Sequence, residues 1–449
     1  MKYLVFTAVL LSVPLAAAIL AMDRRLLRAA MAAMLLPLLC FSATSINFFS
    51  HELYRGTSRG MEVSLIYLIA VAALLAMLYL RGLRTPLPTA GTVLYLGYFL
   101  LSLPSLATAE SILFAFFELW KMAMVYLVYL ATYRYLDSSG GDFRPFIAAF
   151  AVITAFVFAS AVMQHFAGVY QVRAQFPHQN SMAMFMLPLA TIFLSFFLNR
   201  RGLIRPWLAL GLFILASGAL LRSYSRGAIA CFPLGCAVTA GVSLLHDWKA
   251  RKFQSLAVMA LSAALIGLAF APRLIERFAS APESSGQTRR NFAIAAINMI
   301  RDEPLLGVGI NNWGIKINPP YEYSRHRDPR RGFTEDYKDG IVETIYLLVA
   351  AECGLPCLLA LLALFGYYWC AAWRLLGKLR RTPYFYIPAG IIGGLTGIYL
   401  QSLLEWVLKQ QVNFLELVVL FAFLDYLSRN ARTLRQRSHD NPYAEELHA

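Results

Sequence analysis

The sequence predicts an all-α polytopic membrane protein with about 12–13 transmembrane helices. Apolar residues make up 59% of the 449 residues and charged residues 14%, against about 45–50% and about 25% in ordinary globular proteins. Apolar runs of about 20 residues, the length that crosses the hydrocarbon core of a membrane, recur along the chain. Basic residues are concentrated in every second connection between these runs. The same composition excludes disordered, collagen-like and coiled-coil chains.

The predicted membrane spans follow the apolar runs. They lie near 3–22, 29–46, 63–80, 91–108, 111–132, 145–166, 181–198, 206–221, 227–245, 254–271, 341–373, 385–404 and 412–427. The run over 341–373 is too long for one straight crossing. We expect Gly354 and Pro356 to bend it or to end an entry segment.

The basic residues predict which side of the membrane each connection faces. Membrane proteins hold Lys and Arg in cytoplasmic loops. In this chain, 21 of the 40 basic residues lie in the connections 24–28, 81–84, 134–144, 200–205, 249–252, 374–381 and 429–437. These are therefore predicted to be cytoplasmic, and the outer face receives 47–62, 167–180, 222–226, 272–340 and 405–411. Orientation thus accounts for the net charge of +15, and no nucleic-acid partner is expected.

The chain is accordingly predicted to have four parts. They are transmembrane helices in 1–271, a large outer loop in 272–340, transmembrane helices in 341–428 and a basic cytoplasmic tail in 429–449. The outer loop carries 11 basic and 9 acidic residues and is predicted to cap the membrane part. Within it, 289–300 is predicted to be an amphipathic helix, because Phe292, Ala295 and Ala296 recur at helical spacing.

Two arginines stand out on the predicted outer face. Arg222 and Arg226 are four residues apart in Arg-Ser-Tyr-Ser-Arg-Gly, and they share a face if the turn between two spans is helical. Two planar guanidiniums that point the same way suit a phosphate or pyrophosphate, since each can bind oxygens bidentately. The alternative is a short polar connection whose arginines reach lipid head groups. Arginine is uncommon on this face, which favours the functional interpretation.

Glu343 lies where the outer loop returns to the membrane. A carboxylate at this place is a candidate general base, and the alternative is a carboxylate favoured by a helix N-terminus. Glu352, nine residues later, is predicted to be a structural partner inside the bundle, and Glu118 and Lys121 are predicted to pair within one span. Weaker outer-face candidates, for each of which a structural role is the more common one, are His51, Glu52, Arg55, Arg59, Arg173, His178, Asn180, Glu405, Lys409 and Gln410.

The known motifs for metal and nucleotide binding are missing from the sequence. It contains no His-Glu-x-x-His pair, no Asp-x-Asp and no phosphate-binding glycine loop. We therefore expect neither a metal site nor another cofactor.

Several stretches within 170–375 resemble the O-antigen ligase and O-antigen polymerase superfamily of bacterial inner-membrane glycosyltransferases. Residues 225–228, Ser-Arg-Gly-Ala, resemble the family's Ser-Arg-Gly segment on the periplasmic side. Arg289 or Arg290, followed by Pro-Leu-Leu-Gly-Val-Gly at 304–309, resembles the family's segment from an arginine to the same six residues.

The third matching stretch is 343–357, where the membrane part resumes. It resembles the family pattern His-Asn-x-Tyr-Leu…Glu-x-Gly-Leu-Pro-Gly. The residues in register are Tyr346, Leu347, Glu352, Gly354, Leu355 and Pro356. The family's His, taken as the catalytic or acceptor-orienting residue, falls on Glu343, its Asn on Thr344 and its last Gly on Cys357.

The resemblance implies a C-type glycosyltransferase-like fold with a periplasmic capping loop. It implies an inverting, metal-independent transfer of a glycan from undecaprenyl pyrophosphate to a hydroxyl of another glycan or of the lipid A core, in ligation or in O-antigen or exopolysaccharide polymerisation. The expected catalytic residues are Arg222, Arg226 and Glu343, and the expected substrate-binding residues are Arg289, Arg290, His178, Asn180 and Arg173. Trp313, Tyr321 and Tyr323 are candidates for stacking on sugar rings, although aromatic residues in loops more often serve in packing.

Two other function classes are alternatives to a glycosyltransferase. A transporter or flippase of lipid-linked or anionic sugars also places arginines in membrane cavities, but such proteins often contain repeats and helices broken at mid-membrane. This sequence shows no repeat, and its candidate charges gather at one interface. A membrane scaffold does not explain why arginines and a carboxylate lie on the same face.

Overall fold

The computed structural model describes residues 2–50, 56–81, 89–199, 203–261, 283–318, 321, 323 and 340–440. Within these ranges the chain is a bundle of α-helices with one short antiparallel hairpin, formed by β1 (Ser45–Ser50) and β2 (Gly60–Ser64). The helices are α1 (Lys2–Met22), α2 (Arg24–Leu35), α3 (Leu65–Arg81), α4 (Thr89–Ser102), α5 (Ile112–Ser139), α6 (Arg144–Phe166), α7 (Gln179–Asn199), α8 (Pro206–Arg222), α9 (Arg226–His246), α10 (250–261), α11 (Glu283–Asp302), α12 (Trp313–Lys316), α13 (Ile345–Lys378), α14 (Tyr386–Gln401) and α15 (Gln411–Asp440).

The helices follow the predicted membrane spans. In the described part of the chain, eight helices are long and apolar enough to cross a membrane, and α3 and α8 are shorter apolar helices at two further predicted spans. The predicted class, an all-α polytopic membrane protein, is confirmed. Helix α14 has 16 residues at the predicted span 385–404, and α15 continues to Asp440, into the predicted tail. The second half of the predicted span 254–271 lies outside the described residues.

One predicted span does not form a single helix. The prediction of one helix over 29–46 is wrong, because α2 ends at Leu35, a 3-10 turn follows over Leu36–Cys40, and β1 begins at Ser45. Pro37 is the second residue of the turn. Proline has no N–H to donate, and its ring clashes with the preceding turn of an α-helix, so the helix ends there.

Helix α13 breaks at Gly354, as predicted for the long run over 341–373. Gly354 has φ 80° and ψ 171°, a backbone conformation that glycine adopts at little cost. The break turns the carbonyls of Ala351 and Glu352 towards another segment, where they accept hydrogen bonds from the N–H groups of Val308 and Gly309 at 2.8 and 3.0 Å. The kink therefore provides the docking point for part of the large loop.

The described parts of the connections predicted to face outside lie together at one end of the bundle, which we call the loop end. Helices α6, α8 and α14 end there, and α7, α9 and α15 begin there. Helix α11 confirms the predicted amphipathic helix over 289–300. Its apolar side, with Phe292 and Ala296, is buried in a cluster with Leu348 of α13.

Small residues bring the central helices close together. A side chain at Gly390 of α14 would come within 2.5 Å of the Cα of Ile192 in α7, and one at Gly393 within 2.4 Å of the carbonyl oxygen of Gly235 in α9. Such close backbone approach is typical of helix packing in membranes. It fixes the first turns of α7 and α9, which carry Asn180 and Arg226, beside the end of α14.

Candidate functional site

Arg226 is the first residue of α9 and lies at the loop end. Tyr224 has a positive φ of 49°, which turns the chain sharply between α8 and α9. Ser225 caps α9, because its hydroxyl accepts a hydrogen bond from the N–H of Ala228 at 3.4 Å. Arg222 is the last residue of α8. The two arginines therefore belong to different helices, and the helical turn that would place them on one face is not formed.

Arg222 contacts the C-terminal turn of α6. Its Nη1 lies 2.9 Å from Nε2 of His165. The neighbouring Tyr224 stacks on Tyr170, with ring centroids 5.3 Å apart. These contacts join α6 and α8 at the loop end, and the sequence pattern around Arg222 did not indicate them.

Glu343 lies in the segment 340–344, which leads into α13, and forms an ion pair with Arg289 of α11. The two side chains are 34% and 37% exposed. Arg289 is three residues before the buried Phe292, so both lie on the side of α11 that faces α13. Arg290 is rotated away and exposed. Of the two arginines that the sequence offered, the structure brings Arg289 to Glu343.

Glu405 lies beside Glu343, although 61 residues separate them in the sequence. The N–H of Ile345 donates a hydrogen bond to the carbonyl of Ser402 at 3.2 Å, which joins the start of α13 to the connection after α14. Nη2 of Arg289 lies 3.5 Å from Oε1 of Glu405, whose side chain is only 7% exposed. The side-chain amide of Asn180 donates a hydrogen bond to the same oxygen.

The two carboxylates and two arginines influence one another's charge. Burial raises the pKa of Glu405 to about 7, and the nearby Glu343 raises it too, against the opposing effects of Arg289, Asn180 and Arg226. Burial also raises the pKa of Glu343, against Arg289 and Arg226. A side chain at Gly227, next to Arg226, would lie 3.5 Å from Leu404, the residue before Glu405, so the start of α9 adjoins the segment that carries Glu405. We call Arg226, Arg289, Glu343 and Glu405 the Arg–Glu cluster.

The other predicted binding residues lie at the border of this cluster or beyond it. Asn180 reaches it through Glu405. His178 accepts a hydrogen bond from the N–H of Asn180 at Nδ1, over 3.2 Å, and Nη1 of Arg173 donates to the carbonyl of Pro177 at 3.2 Å. His178 and Arg173 are both exposed, in the connection that precedes α7. The predicted candidates His51, Glu52 and Arg55 lie outside the described residues.

A second charged network is buried within the bundle. The predicted pair of Glu118 and Lys121 is confirmed, with Oε2 and Nζ 2.7 Å apart. Glu352 has the predicted structural role, because Nζ of Lys409 lies 2.9 Å from its Oε2 and 3.6 Å from Oε1 of Glu118. All four side chains are at most 5% exposed. The network ties α5, α13 and the connection before α15 together beneath the loop end.

The segment 304–313 links this network to the Arg–Glu cluster. The N–H of Trp313 donates to Oε1 of Glu352 at 3.3 Å, and its indole N–H donates to the carbonyl of Gly340 at 3.0 Å. Trp313 thus holds the segment that carries Glu343. Trp313 is fully buried, so of the two roles considered for it the structure shows packing.

The Arg–Glu cluster combines two chemical abilities. Guanidiniums bind the oxygens of phosphate or carboxylate groups through paired hydrogen bonds. A half-buried carboxylate such as Glu343 can accept a proton from a hydroxyl. Among the described residues, no three or more His, Cys, Asp and Glu side chains are grouped as metal ligands. The positive charge of the cluster comes from arginine.

Comparison with known families agrees with the resemblance seen in the sequence. Residues 210–362 match the family model described as O-antigen ligase, which confirms the resemblance to that superfamily. The matched range includes Arg226, Arg289 and Glu343, whereas Asn180 and Glu405 lie outside it. No curated protein matches the chain.

Proposed function

We propose that the protein is an inverting, metal-independent glycosyltransferase, because residues 210–362 match the family model described as O-antigen ligase. In this proposal it moves a glycan from undecaprenyl pyrophosphate to an acceptor hydroxyl, and the loop end faces the periplasm from a bacterial inner membrane. The observation that best supports the proposal is the convergence of Arg226, Arg289 and Glu343. They come from three separate parts of the matched domain and meet at one end of the bundle.

The arginines would hold the donor. Its lipid tail lies in the bilayer, so its diphosphate lies at the membrane surface, near the first turn of α9. Arg226 and Arg289 bind the diphosphate oxygens and stabilise the charge that develops on them as the sugar leaves. Arg222, Arg173 and His178, in the adjoining connections, are proposed to contact the donor or its glycan.

Glu343 would act on the acceptor. The acceptor oxygen forms a bond with the anomeric carbon, while the bond from that carbon to the diphosphate oxygen breaks and its electron pair stays on the diphosphate. The acceptor proton moves to Glu343. A single displacement of this kind inverts the anomeric configuration. Glu343 is half-buried beside Arg289, which holds its carboxylate at the loop end.

The experiment that tests the proposal uses purified protein in detergent with a polyprenyl-diphosphate glycan and an acceptor. A glycosyltransferase forms product there, whereas a transporter or flippase needs two compartments and forms none. We expect product from the wild type, a loss of about 10²–10⁴ in rate with E343Q, and partial activity with E343H, because histidine also accepts a proton. Absence of product from the folded wild type with both classes of acceptor would contradict the proposal.

The acceptor distinguishes ligation from polymerisation. Deletion of the gene removes long glycan from the lipid core if the enzyme is a ligase, and leaves a single attached repeat if it is an O-antigen polymerase. Loss of a free polymer with normal lipopolysaccharide identifies exopolysaccharide synthesis.

A further inference from the structure

Glu405 shares one arginine with the proposed base. Arg289 pairs with Glu343 through Nε, and its Nη2 lies 3.5 Å from Oε1 of Glu405. The two carboxylates differ in exposure, since the side chain of Glu405 is 7% exposed and that of Glu343 is 34% exposed. Asn180 donates a further hydrogen bond to Glu405. Glu343 therefore faces the more open side of the cluster, and Glu405 lies behind it.

The charge balance of the cluster sets a condition for donor binding. When both carboxylates are ionised, they balance Arg226 and Arg289, and an incoming diphosphate meets two anions as well as two cations. When one carboxyl group is protonated, the cluster keeps one net positive charge. Paired carboxyl groups that share a site commonly hold a single proton, because two like charges repel each other at close range.

We infer that Glu405 is a positioning residue for the proposed transfer: in its neutral form it leaves Arg226 and Arg289 to the donor diphosphate, while Glu343 remains the ionised base. This inference rests on the proposed function. The geometry assigns the proton to Glu405 because it is the more buried of the two carboxyl groups. Burial disfavours the charged form.

The pKa of Glu405 gives the direction of the pH dependence. It is raised by burial and by Glu343 to about 7, against Arg289 of α11, the hydrogen bond from Asn180 of α7, and Arg226 of α9. Below this pH Glu405 is neutral, and above it Glu405 is ionised and competes with the diphosphate for the arginines. The kcat/KM for the donor should therefore fall as pH rises above about 7, and the fall should appear in KM rather than in kcat.

The test measures kcat/KM for a short-chain polyprenyl-diphosphate sugar between pH 6 and pH 8.5, with full-length protein in detergent. The diphosphate of this donor is esterified at both ends, so it does not titrate in this pH range. With a group of pKa about 7, the wild-type kcat/KM at pH 6 is expected to be about thirty times that at pH 8.5. In E405Q the ratio should approach one, because glutamine has the same shape and stays neutral. E405D should keep the fall, and the exposed R290A is the control with the wild-type profile.

Two outcomes of the pH profiles overturn the inference. One is the same alkaline fall in E405Q as in the wild type, and the other is a folded E405Q that is inactive at every pH, which would make Glu405 the base itself. A second measurement needs no variant: calorimetry of donor binding in two buffers should show uptake of up to one proton at pH 8 and much less at pH 6. No uptake at pH 8 also contradicts it. A wild type that forms no product refutes the proposed function instead.

Discussion

Arg289 and Arg290 are adjacent, and the structure predicts a large loss of activity when Arg289 is removed and little change when Arg290 is removed. Arg289 contacts both carboxylates of the Arg–Glu cluster, whereas Arg290 is exposed on the surface of α11. R289A removes one of two guanidiniums that would bind the diphosphate, and it removes a group that lowers the pKa of both Glu343 and Glu405. Loss of one preorganised donor of this kind typically costs about 10²–10³ in rate, or about 3–4 kcal/mol of transition-state stabilisation. R290A should stay within about threefold of the wild type.

Initial rates of glycan transfer, measured with purified variants in detergent, test this pair. R289K adds information, since lysine keeps the charge but lacks the planar fork that reaches two carboxylates, and its rate should lie between those of R289A and the wild type. Size-exclusion profiles and thermal melting show whether each variant is folded. Equal losses in R289A and R290A, or an R289A protein with wild-type activity, would refute the assignment of Arg289.

Two further predictions concern the scaffold beneath the cluster. G354A should lower the unfolding temperature, because a Cβ at φ 80° would come within 2.2 Å of the carbonyl oxygen of Leu305. We expect the free energy of unfolding to fall by about 2–4 kcal/mol. G366A is the control and should leave it unchanged, because Gly366 lies in open space on the same helix. K409M should destabilise the protein by about 3–5 kcal/mol, because it leaves Glu352 and Glu118 buried with one cation fewer. The control is R28A, which breaks the more exposed pair with Asp142 and should cost about 1 kcal/mol or less. Thermal melting in detergent measures all four, and a G354A or K409M protein as stable as its control would contradict the role given to that residue.

Much of the fold was predictable because its signals are local. An apolar run reports a membrane helix without reference to the rest of the chain, and Gly354 and Pro356 mark the break in α13 within the run itself. The error over 29–46 has a local cause as well, because Pro37 ends the helix although the residues around it remain apolar. Composition by itself does not reveal such a break.

The candidate site was only partly predictable, since it depends on which helix ends meet. Arg226 and Glu343 were visible as charges in predicted outer connections. The preference for Arg289 over Arg290 requires the rotational position of α11, which its packing against α13 sets. The sequence ranked Glu405 and Lys409 equally, as charged residues of the same outer connection. In the structure Glu405 lies in the Arg–Glu cluster and Lys409 in the buried network. The hydrogen bond between Ile345 and Ser402, which brings the segment of Glu405 to that of Glu343, joins distant parts of the chain.

Glycan transfer by the variant R226A/R289A/E343Q tests the central claim most directly. The measurement is product formation from a polyprenyl-diphosphate glycan and an acceptor in detergent, with R290A protein beside it. If the Arg–Glu cluster is the active site, the triple variant forms no detectable product while it remains folded, and R290A forms product at close to the wild-type rate. Wild-type activity in the triple variant would contradict the account and place the chemistry elsewhere in the bundle.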